Sequence, residues 1–171
     1  MQPTQGQPFS QQDHPDAPGP AVEDHGRAVT ASLRAATWYR QAQRAIDRRR
    51  AITALRHAVE ADPAFELALA DLDAITGTSG QRHSRGQMNW ERHHIEVVRT
   101  AASGNARRAA DLLREHLAGV GCDPLAFRIV AQMRQPAGMD DGFEDLAGQL
   151  PDCHPARWPN YPSPPRPTPS V

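Results

Sequence analysis

Apolar residues in the middle of this chain recur every three or four positions, the spacing of one buried face of an α-helix. The first apolar stripe consists of Ala28, Ala31, Ala35, Trp38, Tyr39, Ala42, Ala45 and Ile46. Further stripes lie within residues 51–59, 65–75, 90–101, 106–117 and 126–133, and a shorter one lies within 143–150. Because no stretch alternates as a half-buried strand would, the pattern predicts an all-α protein.

Polar residues and helix breakers separate these stripes. Asp62-Pro63 and Asp123-Pro124 each predict a helix end and a new helix start, because the residue before proline disfavours α and proline suits a first helical turn. The polar segment 78–88 predicts a loop. Glycine stops are predicted at Gly77 and Gly104, and asparagine N-caps at Asn89 and Asn105.

Proline is concentrated at the two ends of the chain. Five prolines lie in residues 1–24 and eight in residues 151–171, among few large apolar side chains. Such segments bury too little apolar surface to offset the entropy of ordering, so both are predicted to be disordered tails. The predicted folded domain is 25–150, enough for one modest core. Overlapping Pro-x-x-Pro spacings in 162–169 could form a polyproline II ligand for another domain. The low-complexity composition favours a solubilising tail instead.

Charge and cysteine content narrow the class of protein. The net charge of −1 gives no general attraction to nucleic acid, and all 19 basic residues are arginine. Cys122 and Cys153 are too few for a disulfide framework. The first residues lack the basic and apolar regions of a signal peptide, and no run of about 18 apolar residues predicts a membrane span. We therefore expect a cytoplasmic protein with reduced thiols and no membrane association.

The second predicted helix carries a repeat signature. Ala51, Leu55, Ala58 and Pro63 follow the small–large–small–proline spacing that closes the second helix of a tetratricopeptide repeat, and on these residues the chain resembles that superfamily. The resemblance implies stacked antiparallel helix pairs, as in a fragment of an α-solenoid, with a groove that accepts a peptide or helix. It implies no enzymatic chemistry.

Four further segments indicate a particular family within this superfamily. They are Trp90–Val98, Ser103–Asn105, Ala109–Leu117 and Asp123–Ala126, and together they resemble the tetratricopeptide repeat protein 38-like family. The likeness covers about residues 30–134. The chain departs from a regular array because Ala51 and Ala109 are 58 residues apart, which is not a multiple of the roughly 34-residue repeat. It would be a short, divergent member.

One helical motif has the spacing of metal ligands. Glu91-x-x-His94 matches half of a di-iron carboxylate site, but the chain has no second copy. The favoured interpretation places His94 at a seam between helices, with Glu91 and Arg92 facing solvent or paired locally.

The remaining candidate groups support no site. His83 and His93 could add ligands to His94, but no His-x-x-x-His or Cys-x-x-Cys spacing accompanies them. Cys153-His154 begins the disordered tail, and Cys122 is expected to be a half-buried turn residue. We therefore predict no catalytic residue, no metal, no cofactor and no enzyme.

Charge is segregated along the helices. Residues 34–56 hold seven arginines and one aspartate, 57–77 hold five acids and no arginine, and 78–108 hold six arginines and two acids. Neighbouring helices could neutralise one another. Alternatively, arginines on the first helix of each pair line a groove for an acidic peptide. The candidates for that role are Arg40, Arg44, Arg92 and Arg99.

These patterns predict a protein-interaction scaffold or adaptor that binds a protein or peptide. One alternative is a nucleic-acid-binding helical protein that uses Arg48-Arg49-Arg50 and the loop with Arg82 and Arg85, but near-neutral charge makes nucleic acid the weaker candidate. Another alternative is a truncated relative with little remaining function. An array with two exposed ends would also self-associate unless both ends are capped. The sequence does not identify the partner.

Overall fold

The computed structural model describes residues 21–22, 27–78 and 88–134, and these form six α-helices and one pair of short strands. The elements are β1 Ala21–Val22, β2 Ala28–Val29, α1 Leu33–Arg44, α2 Arg48–Ala61, α3 Glu66–Thr76, α4 Asn89–Ala102, α5 Ala106–Val120 and α6 Pro124–Arg134. The strands pair antiparallel, two residues each. The all-α prediction is confirmed, with this strand pair as the one addition in the described part.

Side-chain caps set most of the helix starts. Asp47 accepts from the Arg50 amide at 2.8 Å before α2, and Asn105 accepts from the Arg108 amide at 3.2 Å before α5, as predicted for Asn105. Asn89 is not the N-cap of α4 but its first residue. Met88 precedes it, and the Met88 amide donates to the Glu91 carboxylate at 3.3 Å.

The two Asp-Pro pairs behave differently. Pro124 is the first residue of α6, and Asp123 accepts from the Ala126 amide at 3.1 Å, so this pair starts a helix as predicted. After Asp62-Pro63 the next helix begins only at Glu66, because Asp62 holds an intervening turn by accepting from the Ala64 amide.

The first helix is shorter than its apolar stripe. Ala28 and Val29 lie in β2, and α1 begins at Leu33 after the N-cap Ser32. The second carboxylate oxygen of Asp62 accepts from the Ser32 amide at 2.8 Å, which fixes the backbone at this boundary.

Consecutive helices pack as pairs around one apolar core. Helix α1 lies on α2, α3 lies between α2 and α4, and α4 lies on α5. Helix α6 packs on α4 and α5 and also reaches α3 and α1. Arg128 of α6 donates to the carbonyl oxygens of Gln43 at 2.8 Å and Ala45 at 3.1 Å. The last described helix therefore closes onto the end of α1, whereas the repeats of an extended solenoid contact only their neighbours.

Three predicted segments lie wholly or largely outside the described residues, and one prediction about a cysteine is wrong. The predicted helix at 143–150, the tail 151–171 and nearly all of 1–24 lie outside the described residues, and Ala21–Val22 forms β1. Within the described ranges, no helix has both the length and the apolar character required to cross a bilayer. Cys122 lies half-buried in the turn before α6 and is disulfide-bonded, so the expectation of reduced thiols is wrong for this residue.

Two glycines give a matched test of the helix ends. Gly104 has φ +84° after α4, and Gly119 lies inside α5 with no positive φ; a Cβ at either would meet nothing within 4 Å. Gly104→Ala should lower the free energy of unfolding by about 1–2 kcal/mol, because an L-residue is strained there. Gly119→Ala should raise it by about 0.5–1 kcal/mol. Urea unfolding of both variants measures this, and effects of the same sign would contradict the boundary assignment.

Candidate functional site

A cluster of buried polar side chains lies at the centre of the helix bundle. Its members are Tyr39 of α1, Asp71 of α3, His94 of α4, His116 of α5 and Asp123 at the N-cap of α6. Each is at most 1% exposed. We call these five residues the central polar cluster.

His94 occupies the middle of the cluster. Its Nδ1 lies 2.6 Å from Asp123 Oδ2, and its Nε2 lies 2.8 Å from Asp71 Oδ1. A carboxylate only accepts, so an imidazole that bonds carboxylates through both nitrogens must donate from both, which the imidazolium alone can do. The prediction that His94 packs at a helix seam is confirmed.

The electrostatics agree with that protonation state. Burial lowers the pKa of His94, but the carboxylates of Asp123 and Asp71 outweigh it and raise that pKa from 6.5 to about 10. Burial tends to raise the pKa of Asp123, yet His94 and His116 hold it well below its ordinary value. Buried charges are tolerated when paired and hydrogen-bonded in this way.

Besides His94, one further hydrogen-bond partner holds the Asp71 carboxylate and two hold that of Asp123. The Tyr39 hydroxyl donates to Asp71 Oδ2 at 2.8 Å. His116 Nε2 lies 2.9 Å from Asp123 Oδ2, and Asp123 Oδ1 accepts from the Ala126 amide. The carboxylates of Asp71 and Asp123 are therefore each held through both oxygens.

His116 differs from His94 in that only one of its ring nitrogens is hydrogen-bonded within the described residues. Burial lowers its pKa, so the ring is neutral and donates through Nε2 to Asp123. Its Nδ1 is buried and makes no hydrogen bond within the described residues. The rings of His93 and His94 lie edge-to-face with it, at centroid distances of 5.3 and 5.9 Å.

Glu91 belongs to a separate buried contact. It is 2% exposed and accepts from the Thr30 amide at 2.7 Å and the Thr30 hydroxyl at 3.1 Å. Exposure of Glu91 to solvent is therefore ruled out, and local pairing holds only for the bond from the Met88 amide, because the carboxylate also anchors the segment before α1. Glu91 and His94 are one turn apart but bind different partners, so the structure does not join them as half of a di-iron site. Arg92 is exposed and bonds Asn89, as expected for local pairing.

Part of the central polar cluster is arranged as a set of metal ligands would be. His94, His116 and Asp123 each offer a ligand atom, and these atoms all lie within 4.8 Å of one another, so this trio could hold a metal ion. His83 and Cys153-His154, considered as ligands or catalytic groups, lie outside the described residues. With its side chains at most 1% exposed, the cluster offers no surface for a substrate.

The four arginines predicted to bind a partner lie on α1 and α4. Arg44 and Arg92 are exposed, whereas Arg40 and Arg99 are half-buried. Arg40 donates to the Thr37 hydroxyl at 3.1 Å. Because Tyr39 of α1 and His94 of α4 both bond Asp71 of α3, α3 lies between the two helices at that level. A shared groove formed by these arginines stays a prediction.

Sequence reasoning singled out His94 but missed its two carboxylate partners, Asp71 and Asp123. It also missed Tyr39 and His116, which bond those carboxylates. A signal was present for His116, which occupies the apolar face of α5 between Leu113 and Leu117. A polar residue at such a position must find a bonding partner inside the core.

Comparison with known proteins identifies no relative. No family model, no curated protein and no solved structure matches this chain. The resemblance to tetratricopeptide proteins therefore stays a prediction.

Removing one charge tests the central polar cluster. Asp123→Asn should lower the free energy of unfolding by about 3–5 kcal/mol, because it leaves the His94 imidazolium short of a buried counter-charge. The matched control is Asp111→Asn, which breaks a half-exposed pair with Arg114 at 2.7 Å and should cost under about 1 kcal/mol. Chemical denaturation measures the free energy of unfolding of both variants. Equal losses would show that the buried cluster contributes no more to stability than a half-exposed ion pair does.

The pKa of His94 predicts a pH dependence. The folded-state pKa of about 10 lies above the ordinary 6.5, so its stabilisation is complete below pH 6.5 and is lost as the pH rises through about 10. The free energy of unfolding should fall between pH 7 and 10 by up to about 1.4 kcal/mol per pH unit. Below pH 6.5 the lowered pKa of His116 acts in the opposite sense and favours unfolding.

Denaturation curves from pH 5 to 10 measure this profile. His57→Gln is the control, because His57 is half-buried beside Glu60 and outside the central polar cluster, and it should leave the alkaline slope unchanged. A free energy of unfolding that stays constant from pH 7 to 9 would contradict the charged state of His94.

Proposed function

We propose that this chain is a protein-interaction module that binds an acidic segment of a partner protein. The observation that carries the proposal is the corner between α1 and α2. There Ile46 is 54% exposed, and the neighbouring Arg44, Arg48, Arg49 and Arg50 are all exposed. We call residues 44–50 the α1–α2 corner.

The composition of this corner suits an acidic peptide. Guanidinium groups bind carboxylates through paired hydrogen bonds, which fixes orientation as well as charge. A single exposed isoleucine is ordinary on a protein surface, but one surrounded by arginines can anchor an apolar side chain of the ligand. Asp47, the one acid in this corner, is already engaged by the Arg50 side chain at 3.5 Å and by the α2 cap.

The helix geometry favours a protein over a nucleic acid. Arg48, Arg49 and Arg50 are consecutive in the first turn of α2, so their side chains leave the axis about 100° apart. Because these directions diverge, and because Arg48 donates to the Ile75 carbonyl oxygen while Arg50 pairs with Asp47, the three arginines do not form a continuous cationic track for a phosphate backbone. The predicted partner residue Arg44 belongs to this corner; Arg40, Arg92 and Arg99 do not.

Binding, rather than catalysis, fits the placement of the titratable groups. The histidines and carboxylates with shifted pKa values lie inside the bundle, where they bond one another. The exposed charges of the α1–α2 corner are arginines, which are suited to recognition because they stay protonated.

The test uses the full chain and fluorescence anisotropy of labelled peptides. A peptide with alternating glutamate and leucine should bind more tightly than its lysine-for-glutamate counterpart. The Arg44→Gln/Arg49→Gln variant should weaken that binding on the order of tenfold, and Ile46→Ala should weaken it further. Arg107→Gln, an exposed arginine on α5, is the matched control and should change little.

Two outcomes would overturn this proposal. Equal affinity for the acidic and basic peptides would show that the corner does not read charge. The other outcome is tighter binding to a single-stranded oligonucleotide, with an affinity that falls steeply as salt rises. That result would show that the same arginines bind nucleic acid.

A further inference from the structure

We propose that His94, His116 and Asp123 bind one divalent transition-metal ion, with zinc as the first candidate, at the centre of the helix bundle. The site lies inside the fold and does not depend on the function proposed for the α1–α2 corner.

The first support is convergence of ligand atoms from three elements. Asp123 Oδ2 lies 2.6 Å from His94 Nδ1 and 2.9 Å from His116 Nε2. The three side chains come from the α6 N-cap, α4 and α5. Two imidazoles and a carboxylate are ligands that zinc accepts in proteins.

The second support is the set of bonds that holds those ligands in place. His94 turns its other nitrogen to Asp71, and Asp71 accepts from the Tyr39 hydroxyl. The other oxygen of Asp123 accepts from the Ala126 amide. Metal-ligating histidines commonly donate to a carboxylate in this manner, which orients the ring and presents its free lone pair to the ion.

The charge of the cluster favours a cation. With Asp71 and Asp123 ionised and His94 as the imidazolium, the buried cluster carries a net charge of about −1. A divalent ion in place of the proton between His94 and Asp123 leaves both histidines neutral and brings the total to about zero. A buried site without net charge avoids the cost of an uncompensated ion.

The hydrogen bonds do not use the full capacity of His116. Its Nδ1 is buried without a partner among the described residues, so hydrogen bonding alone leaves this ring partly unsatisfied. Coordination through Nε2 would move the ring proton from Nε2 to Nδ1, so the ion takes the place of the Nε2 hydrogen bond while Nδ1 stays without an acceptor among the described residues.

The ligands must separate slightly to admit an ion. Donor atoms on a tetrahedral zinc with bonds of about 2.0–2.1 Å are about 3.3 Å apart, so the present separations of 2.6 and 2.9 Å must grow by roughly half an ångström. The described residues supply three ligands, and water is the ordinary fourth donor.

The experiment measures metal binding by the full chain directly. Protein stripped with a chelator is titrated with Zn²⁺ by calorimetry and with Co²⁺ by visible absorption, and its melting temperature is followed in both forms. We expect one equivalent to bind with a Kd of about 1 µM or tighter, visible bands typical of Co²⁺ with nitrogen and oxygen ligands, and a melting temperature several degrees higher.

Three variants assign the binding to the site. His116→Gln keeps an amide that can donate to Asp123 but removes a ligand, and it should weaken binding at least about 100-fold. Tyr39→Phe keeps all three ligands but removes the hydroxyl that bonds Asp71, and it should weaken metal binding about tenfold. His57→Gln, on α2 outside the cluster, is the control and should bind as the wild type does.

The proposal is overturned if the folded wild type binds no stoichiometric metal and saturating Zn²⁺ leaves its melting temperature unchanged. It is also overturned if His116→Gln binds as tightly as the wild type. Should His116→Gln fail to fold, Tyr39→Phe decides, because binding equal to that of His57→Gln would place the metal elsewhere.

Discussion

The fold depends on one buried ionic contact, the His94 imidazolium held between Asp71 and Asp123. Apolar packing is non-directional and would allow the helices to slide or rotate by small amounts. Hydrogen bonds to a ring with two fixed donor directions do not allow this, since a misplaced carboxylate would leave a buried charge unpaired. Helices α1, α3, α4, α5 and the start of α6 each contribute a member of the central polar cluster, so their relative positions are specified together.

A second anchor works on the segment before α1. Glu91 accepts from Thr30, and the indole of Trp90 donates to the carbonyl oxygen of Ala28 at 3.1 Å. The guanidinium of Arg27 lies over that indole, 4.5 Å from the ring centroid. Trp90 and Glu91, at the start of α4, thus hold β2 and the residue that follows it. His94, one turn later, bonds the carboxylates of the core. This division explains why α1 begins at Leu33 although the apolar spacing starts earlier.

Sequence alone predicted the helices better than it predicted the site, and the reason is physical. Helix spacing, Asn105, Gly77 and Asp123-Pro124 act within a few residues, so local rules recover them. The central polar cluster joins residues 39, 71, 94, 116 and 123, whose proximity is created only by packing. Asp71 lies within an acidic run, which suggested a solvated or neutralising face, yet it is completely buried.

The central polar cluster and the α1–α2 corner are connected through α1 and α6. Tyr39 points from α1 into the central polar cluster, and the same helix ends at Arg44 in the α1–α2 corner. Arg128 then ties the end of α1 to α6, the helix that Asp123 caps. Burial lowers the pKa of Arg128 to about 10, yet it is still charged at neutral pH and so makes charge-assisted bonds to those carbonyl oxygens. Because α1 and α6 both reach the buried carboxylates and Arg128 joins them just before Ile46, a binding surface at the corner would be held rigid by the core. Such rigidity reduces the entropy lost when a partner docks.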